Sequence, residues 1–372
     1  MKKTIDFVTP CLLARSELPR PSTPFEWELL LRQARHANLL GRLALLLQAS
    51  GQLDEVPAQV RPHFQSAQTW SVAQMRAVRW EAREIHKALA CLLCPVVLLK
   101  GAAYVLAELP AAQGRLFSDV DILVPRGSID SVETLLKMAG WENGEQDAHE
   151  QRYYRQWMHE IPPMFNSARG TVIDVHHNIL PLTSRIKVDA EKLLADIVPL
   201  DAWPGMFRLS NTDLVLHSAC HLFLDGEFDK GLRDLVDLDA LLRHFGRDPS
   251  YWAQLVARAR ILGLAPILFY ALRYTARLLR TPVPASCVID LEDASPGPVK
   301  LVLMDAIFGR ALRPDHPSCA DSWTGVARGF LYLRAHWMRM PAHLLLPHLF
   351  NKAWRRFKDE PKTDGAQVHA PH

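Results

Sequence analysis

Asp119 and Asp121 stand two residues apart in the apolar run FSDVDILVP. In an extended strand, residues two apart point to the same face, so the two carboxylates project together while Val120 and Ile122 turn toward a core. Carboxylates held side by side repel each other, and keeping both charged calls for a cation. A hard divalent ion with oxygen ligands, most naturally Mg²⁺, meets that need. Phosphoryl and nucleotidyl transfer use such ions in pairs. One neutralises the triphosphate and leaving group; the other activates the attacking hydroxyl.

A pair of ions needs a third carboxylate from a neighbouring strand, and TVIDVHHNI supplies Asp174. By the same alternation Val172, Asp174 and His176 share one face, with Ile173 and Val175 on the other. Asp174 is the candidate for bridging the two ions or orienting an acceptor hydroxyl. His176 is placed to contact a phosphate or the acceptor. Upstream, Lys100-Gly101 follows a strand-like run and opens a helix. Backbone N–H groups at a helix start attract anions, and glycine lets a phosphate approach closely. Lys100 and Arg115 add positive charge. The candidate catalytic and metal-binding residues are therefore Asp119, Asp121 and Asp174. The candidate nucleotide-binding residues are Lys100, Gly101, Arg115 and His176.

The elements that must carry these residues are legible in outline. Residues 25–90 have apolar positions at helical spacing, with Gly51 as a stop. CPVVLLKG is a short β-branched apolar run that reads as a buried strand, AAYVLAEL as a short helix closed by Pro110, and FSDVDILVP as a second strand. SIDSVETLLKMAGW reads as a helix with Ser128 or Asp130 as N-cap and Gly140 as its stop. Residues 151–180 hold two further strand candidates. After about residue 205 the helical pattern returns, in NTDLVLHSACHLFLDG, KGLRDLVDLDALLRHFG and YWAQLVARARILGLAPILFYALRYTARLL. The Pro- and Ser-rich stretch 281–300 reads as a linker or long loop, 323–358 as helical, and 359–372 as disordered. The expected divisions are an N-terminal helical region (1–90), an α/β core (91–205), a C-terminal helical domain (206–358) and the tail.

LLKGAAYVLAEL, GRLFSDVDILVP and VIDVHHNI, with the later LHSACHLF and LRDLVDLDALL, together resemble the bacterial uncharacterised nucleotidyltransferase family of the DNA polymerase β-like superfamily, over roughly residues 25–350. The superfamily signature is a Gly-Ser or Gly-Gly pair, then Asp-x-Asp or Asp-x-Glu, then a distant third acid. Gly101, Asp119, Asp121 and Asp174 match it. Ala102 stands where Ser often sits, and the gap to Asp119 is longer than in better-known members. The resemblance implies an α+β fold, a small nucleotidyltransferase sheet flanked by N- and C-terminal helical regions. It also implies transfer of a nucleoside monophosphate from an NTP to a hydroxyl acceptor with two Mg²⁺ ions. In related enzymes a helical domain closes over the nucleotide. The superfamily includes silent members, so the alternative function is a module that binds a nucleotide or a partner protein without catalysis. A glycosyltransferase, which also uses Asp-x-Asp, is a more distant alternative.

Other constellations read as structural. Cys91 and Cys94 form C-x-x-C with Leu-Leu between them and no second pair, which fits buried apolar cysteines beside a strand better than zinc or redox chemistry. His217 and His221 are spaced i, i+4 on a helix without the Glu of a zinc-protease motif, which fits packing or polar contacts against the core. Arg233, Asp234, Asp237 and Asp239 read as a helix-surface ion-pair network. WMRMPAHLLLPHLFNKAWRRFK reads as a last helix packed on the body rather than a membrane-docking segment.

The bulk properties agree. Hydrophobic residues at 49% and charged residues at 22% are the balance of a globular protein, and 372 residues suggest two or three domains. A net charge of +3 gives no strong nucleic-acid signal. No apolar run approaches the roughly 18–20 residues that span a bilayer. The start has two lysines but no continuous apolar stretch, so no signal peptide is expected. Six cysteines in this length do not suggest a disulfide scaffold, and a cytoplasmic setting is the expectation.

Overall fold

The structure, a computed structural model, describes residues 4–14, 17–144 and 154–341. The fold is α+β. Its sheet has seven strands in the order β3-β4-β5-β2-β1-β7-β6, where β1 is Val96–Leu98, β2 Val120–Leu123, β3 Glu142–Asn143, β4 Met164–Asn166, β5 Thr171–His176, β6 Val198–Pro199 and β7 Met206–Arg208. Every residue of β1 and β2 is buried, as befits the middle of a sheet covered on both faces. β2 runs parallel to β5 and antiparallel to β1, and β1 runs parallel to β7.

Helices cover this sheet and extend beyond it. α1 (Val8–Ala14), α2 (Pro24–His36) and α3 (Leu40–Ala49) lead into the 28-residue α4 (Arg61–Ala88), which packs against α3 and against the short α5 (Lys100–Leu106). α2 is set by a capping box, with the Thr23 hydroxyl accepting from the Glu26 N–H and the Glu26 side chain accepting from Thr23. α6 (Ile129–Met138) and α7 (Ala190–Leu194) are short. α8 (Asn211–Leu224) is buried nearly all round, so it forms a central pillar. α9 (Gly231–Phe245), α10 (Pro249–Ile261) and α11 (Ala265–Leu279) pack around it. α12 (Ala285–Asp290), α13 (Pro298–Ala311) and α14 (Thr324–Arg339) follow. One apolar core runs continuously from Val8 to Leu331. No helix among the described residues is long and apolar enough to cross a membrane.

Several expectations change in detail. The first helical pattern is broken before Gly51: Asn38 takes a left-handed conformation (φ 55°) and turns the chain between α2 and α3. The stretch 281–300 is no linker. It carries α12, a 3₁₀ turn at Glu292–Ala294 and the start of α13, with Cys287 and Leu291 buried. Pro298 is the first residue of α13, where a missing N–H costs nothing, and Pro284 is the N-cap of α12. Ser128 does precede α6, but its side chain makes no capping bond. The sheet gains β3, β6 and β7, too short to leave a periodic signal. Of the expected helix over 323–358, Thr324–Arg339 is observed, and residues 342–372, with the disorder expected at their end, lie outside the described residues.

Candidate functional site

The site is built where β2 and β5 lie side by side. Asp121 and Asp174 are register partners across this parallel pair, so both side chains leave the same face of the sheet. His176, two residues on, joins them: its Nε2 lies 3.0 Å from Asp121 Oδ1. Lys100 reaches the same oxygen from the start of α5, with Nζ at 2.9 Å. Asp121 is 4% exposed. Burial opposes its charge, but Lys100 and His176 outweigh that cost and hold its carboxyl well below the usual range. For Lys100, too, burial works against the charge, and Asp121, with Glu160 and Asp119 behind it, holds the ammonium above its ordinary pKa.

Asp174 lacks such partners. Its Oδ1 is buried without a hydrogen-bond partner among the described residues. Burial, and then the charge of Asp121, push its carboxyl up to about 7. Asp119 sits just before β2, exposed, and its Oδ1 accepts a bond from the Ser118 hydroxyl at 3.0 Å. It is near enough to add to the charge that raises Asp174. The structure therefore gathers Asp119, Asp121, Asp174, His176 and Lys100 into one electrostatic cluster.

Gly101 and Arg115 sit differently. A Cβ on Gly101 would meet Arg115 Nη1 at 2.5 Å and Phe117 Cδ1 at 2.7 Å, so the glycine makes room for these two side chains. Arg115 is nearly buried; its Nε donates to Asp237 Oδ2 at 2.8 Å, and its guanidinium lies over the Phe117 ring at 5.0 Å. Arg115 thus ties the turn before β2 to α9. Lys100, just ahead of Gly101, holds a left-handed conformation (φ 41°), rare for a residue with a side chain. The Leu99 N–H donates to the Asp121 carbonyl at 3.0 Å, which fixes this turn against β2.

Two residues of the cluster were not foreseen. Glu160 Oε2 lies 3.1 Å from His176 Nδ1, and His159 Nε2 lies 3.9 Å from the same oxygen. An antiparallel bridge between Glu160 and His176 brings them in. The only signal in the sequence is an adjacent His-Glu pair ahead of Pro-Pro, which has no strand periodicity.

The helical flank differs from expectation as well. Arg233, Asp234, Asp237 and Asp239 are all buried rather than on the surface. Arg233 pairs with Asp234, Arg115 with Asp237, and Arg243 with Asp239, because this side of α9 faces the interior. His217 is buried and held neutral by burial and by the charges of Lys100 and His176, and His221 Nδ1 is 3.6 Å from Asp234 Oδ2. Cys91 is exposed and Cys94 half-buried, against the expected burial, because the strand starts only at Val96.

The acids fit a hard cation. Two carboxylates face each other across adjacent strands, a third stands beside them, and one buried oxygen of Asp174 has no partner. Oxygen-only donors of this kind suit Mg²⁺. The sequence pattern of a family described as uncharacterised nucleotidyltransferase matches residues 23–280, which includes every residue of this cluster. No curated protein and no solved structure matches the chain.

Proposed function

Because the chain belongs to the uncharacterised nucleotidyltransferase family, we propose that it moves a nucleoside monophosphate from an NTP to a hydroxyl of an acceptor, with Asp119, Asp121 and Asp174 as the acidic centre. The observation that carries this reading is Asp174: a carboxyl raised to about 7 beside Asp121, with an orphaned oxygen. Mg²⁺ held by the three acids would neutralise the triphosphate and the leaving pyrophosphate. In the transfer, the acceptor oxygen forms a bond to the α-phosphorus as its proton passes to solvent, while the bond from that phosphorus to the β-phosphate's bridging oxygen breaks and pyrophosphate carries the electron pair away. Asp174 orients the acceptor hydroxyl. Lys100 exchanges Asp121 for phosphate oxygens when the nucleotide arrives, and His176 braces the Asp121 carboxylate through its Nε2. Gly101 and Arg115 contribute by shaping the turn that presents Lys100.

The pH dependence follows from Asp174. Below about 7 its carboxyl holds a proton that a cation must displace. Mg²⁺ affinity should therefore rise by about tenfold per pH unit up to that point and level off above it. Without the cation the sign is opposite for stability: a carboxyl raised in the folded state costs stability progressively as pH rises from its unfolded value toward about 7. Asp174→Asn should flatten both slopes and melt at a higher temperature than the wild type at neutral pH without Mg²⁺. Calorimetric titration of Mg²⁺ with NTP at several pH values, beside thermal melts, tests this. A Mg²⁺ affinity unchanged between acid and neutral pH would remove Asp174 from the proposed centre.

A further inference from the structure

We propose that His159, Glu160 and His176 form a separate Zn²⁺ site on the edge of the acidic cluster, with Asp121 as its outer partner. One donor atom from each of the three residues lies within 4.8 Å of the other two. His176 Nδ1 and Glu160 Oε2 are 3.1 Å apart, and His159 Nε2 and Glu160 Oε2 are 3.9 Å apart. Donors around a tetrahedral Zn²⁺ with bonds of about 2.0–2.1 Å stand roughly 3.3 Å from one another, so small side-chain shifts would close the set.

The backbone is already fixed for this. Glu160 and His176 form an antiparallel bridge, the Ile161 N–H donates to the Val175 carbonyl at 3.0 Å, and the His177 N–H donates to the His159 carbonyl at 2.8 Å. One donor atom is left wanting. His176 is 2% exposed, and its Nδ1 lies at ion-pair distance from Glu160 but off the line a hydrogen bond needs, so that nitrogen has no hydrogen-bond partner among the described residues.

The other side of His176 supplies the independent sign. Its Nε2 is 3.0 Å from Asp121 Oδ1. A metal-binding histidine almost always donates its second ring N–H to a carboxylate, carbonyl or water, which fixes the ring and its tautomer. Asp121, His176 and the proposed ion repeat that chain. Two imidazoles and one carboxylate, with a fourth position open, are a Zn²⁺ donor set and a poor one for Mg²⁺, which prefers oxygen. The site does not depend on the nucleotidyltransferase reading: it needs no nucleotide and does not use Asp119 or Asp174.

The test uses the full chain without an affinity tag, stripped of metal and dialysed against Zn²⁺ alone. Metal content is read by mass spectrometry and affinity by competition with a chromogenic chelator. One Zn²⁺ per chain is expected to be retained. His159→Gln and Glu160→Gln should each weaken binding at least about tenfold, while Asp119→Asn should leave it unchanged. Circular dichroism checks that the variants are folded. Should either fail to fold, the wild type with Co²⁺ decides: a visible absorption spectrum of a four- or five-coordinate nitrogen and oxygen site supports the proposal, and its absence overturns it. No retained Zn²⁺ overturns it as well, as does unchanged affinity in both folded variants, or an equal loss in Asp119→Asn. Any of these results would leave the Mg²⁺ centre untouched.

Discussion

Asp121→Asn should lower pyrophosphate release from Mg²⁺-NTP by at least about a hundredfold, the size of effect seen when one electrostatic element of an active site is removed. The substitution keeps the shape of the side chain and removes the charge that faces Lys100 at 2.9 Å and His176 at 3.0 Å. It therefore takes away a ligand for Mg²⁺ and at the same time leaves the Lys100 ammonium without its nearest counter-ion. Both losses act on nucleotide binding, so Mg²⁺-dependent NTP affinity should fall with turnover. Asp119→Asn separates the two. Asp119 is exposed, and the one side-chain bond seen for it among the described residues is from Ser118, so its replacement should leave the melting temperature unchanged while weakening the response to Mg²⁺. Full turnover by Asp121→Asn, measured by coupled pyrophosphate detection, would count against the acidic centre.

Arg115→Ala should cost about 3–5 kcal/mol of stability, the usual penalty for removing one partner of a buried ion pair. Its guanidinium is held by Asp237 at 2.8 Å, with side-chain exposures of 11% and 5%, and lies over Phe117. Truncation strands the Asp237 carboxylate in the interior between the turn before β2 and α9. The double variant Arg115→Met, Asp237→Leu should recover most of the loss, since well-packed apolar replacements of a buried pair are often neutral or better. A phosphate-binding arginine behaves otherwise. It would leave thermal stability nearly intact, lower NTP affinity in the single variant, and gain nothing from the second substitution. Chemical denaturation of the three proteins distinguishes the two roles.

How far the sequence reaches is clearest in these two residues. Asp121 and Asp174 were legible because each lies between two buried apolar residues, Val120 and Ile122 in β2 and Ile173 and Val175 in β5, and so leaves the face opposite to theirs. What alternation cannot supply is the pairing of strands, and it is the register Asp121 to Asp174 that brings the two acids together. Arg115 was expected to bind the nucleotide; its ion pair with Asp237 left no signal because that partner lies far away in the chain, on α9. The same long-range contact explains α9 itself. Its charged residues have the pattern of a solvated face, yet they are buried because each has an oppositely charged partner within reach. Glu160 and His159 were hidden for a related reason, since they join the cluster through an isolated bridge and not a strand with a pattern of its own. The α+β architecture was readable from the changes of texture near residues 91 and 205, whereas β6 and β7 were too short to register.

The most direct test of the acidic centre is a crystal of the protein grown with a non-hydrolysable NTP and Mn²⁺ in place of Mg²⁺, with the ions located by anomalous scattering. The arrangement of Asp119, Asp121 and Asp174 predicts Mn²⁺ bound to carboxylate oxygens of all three, with the triphosphate on the same ions and Lys100 turned from Asp121 to a phosphate. Two ions, if both are held, should stand about 3.5–4 Å apart. Nucleotide and Mn²⁺ bound elsewhere, with Lys100 still paired to Asp121 and the Asp174 oxygen still without a partner, would contradict it.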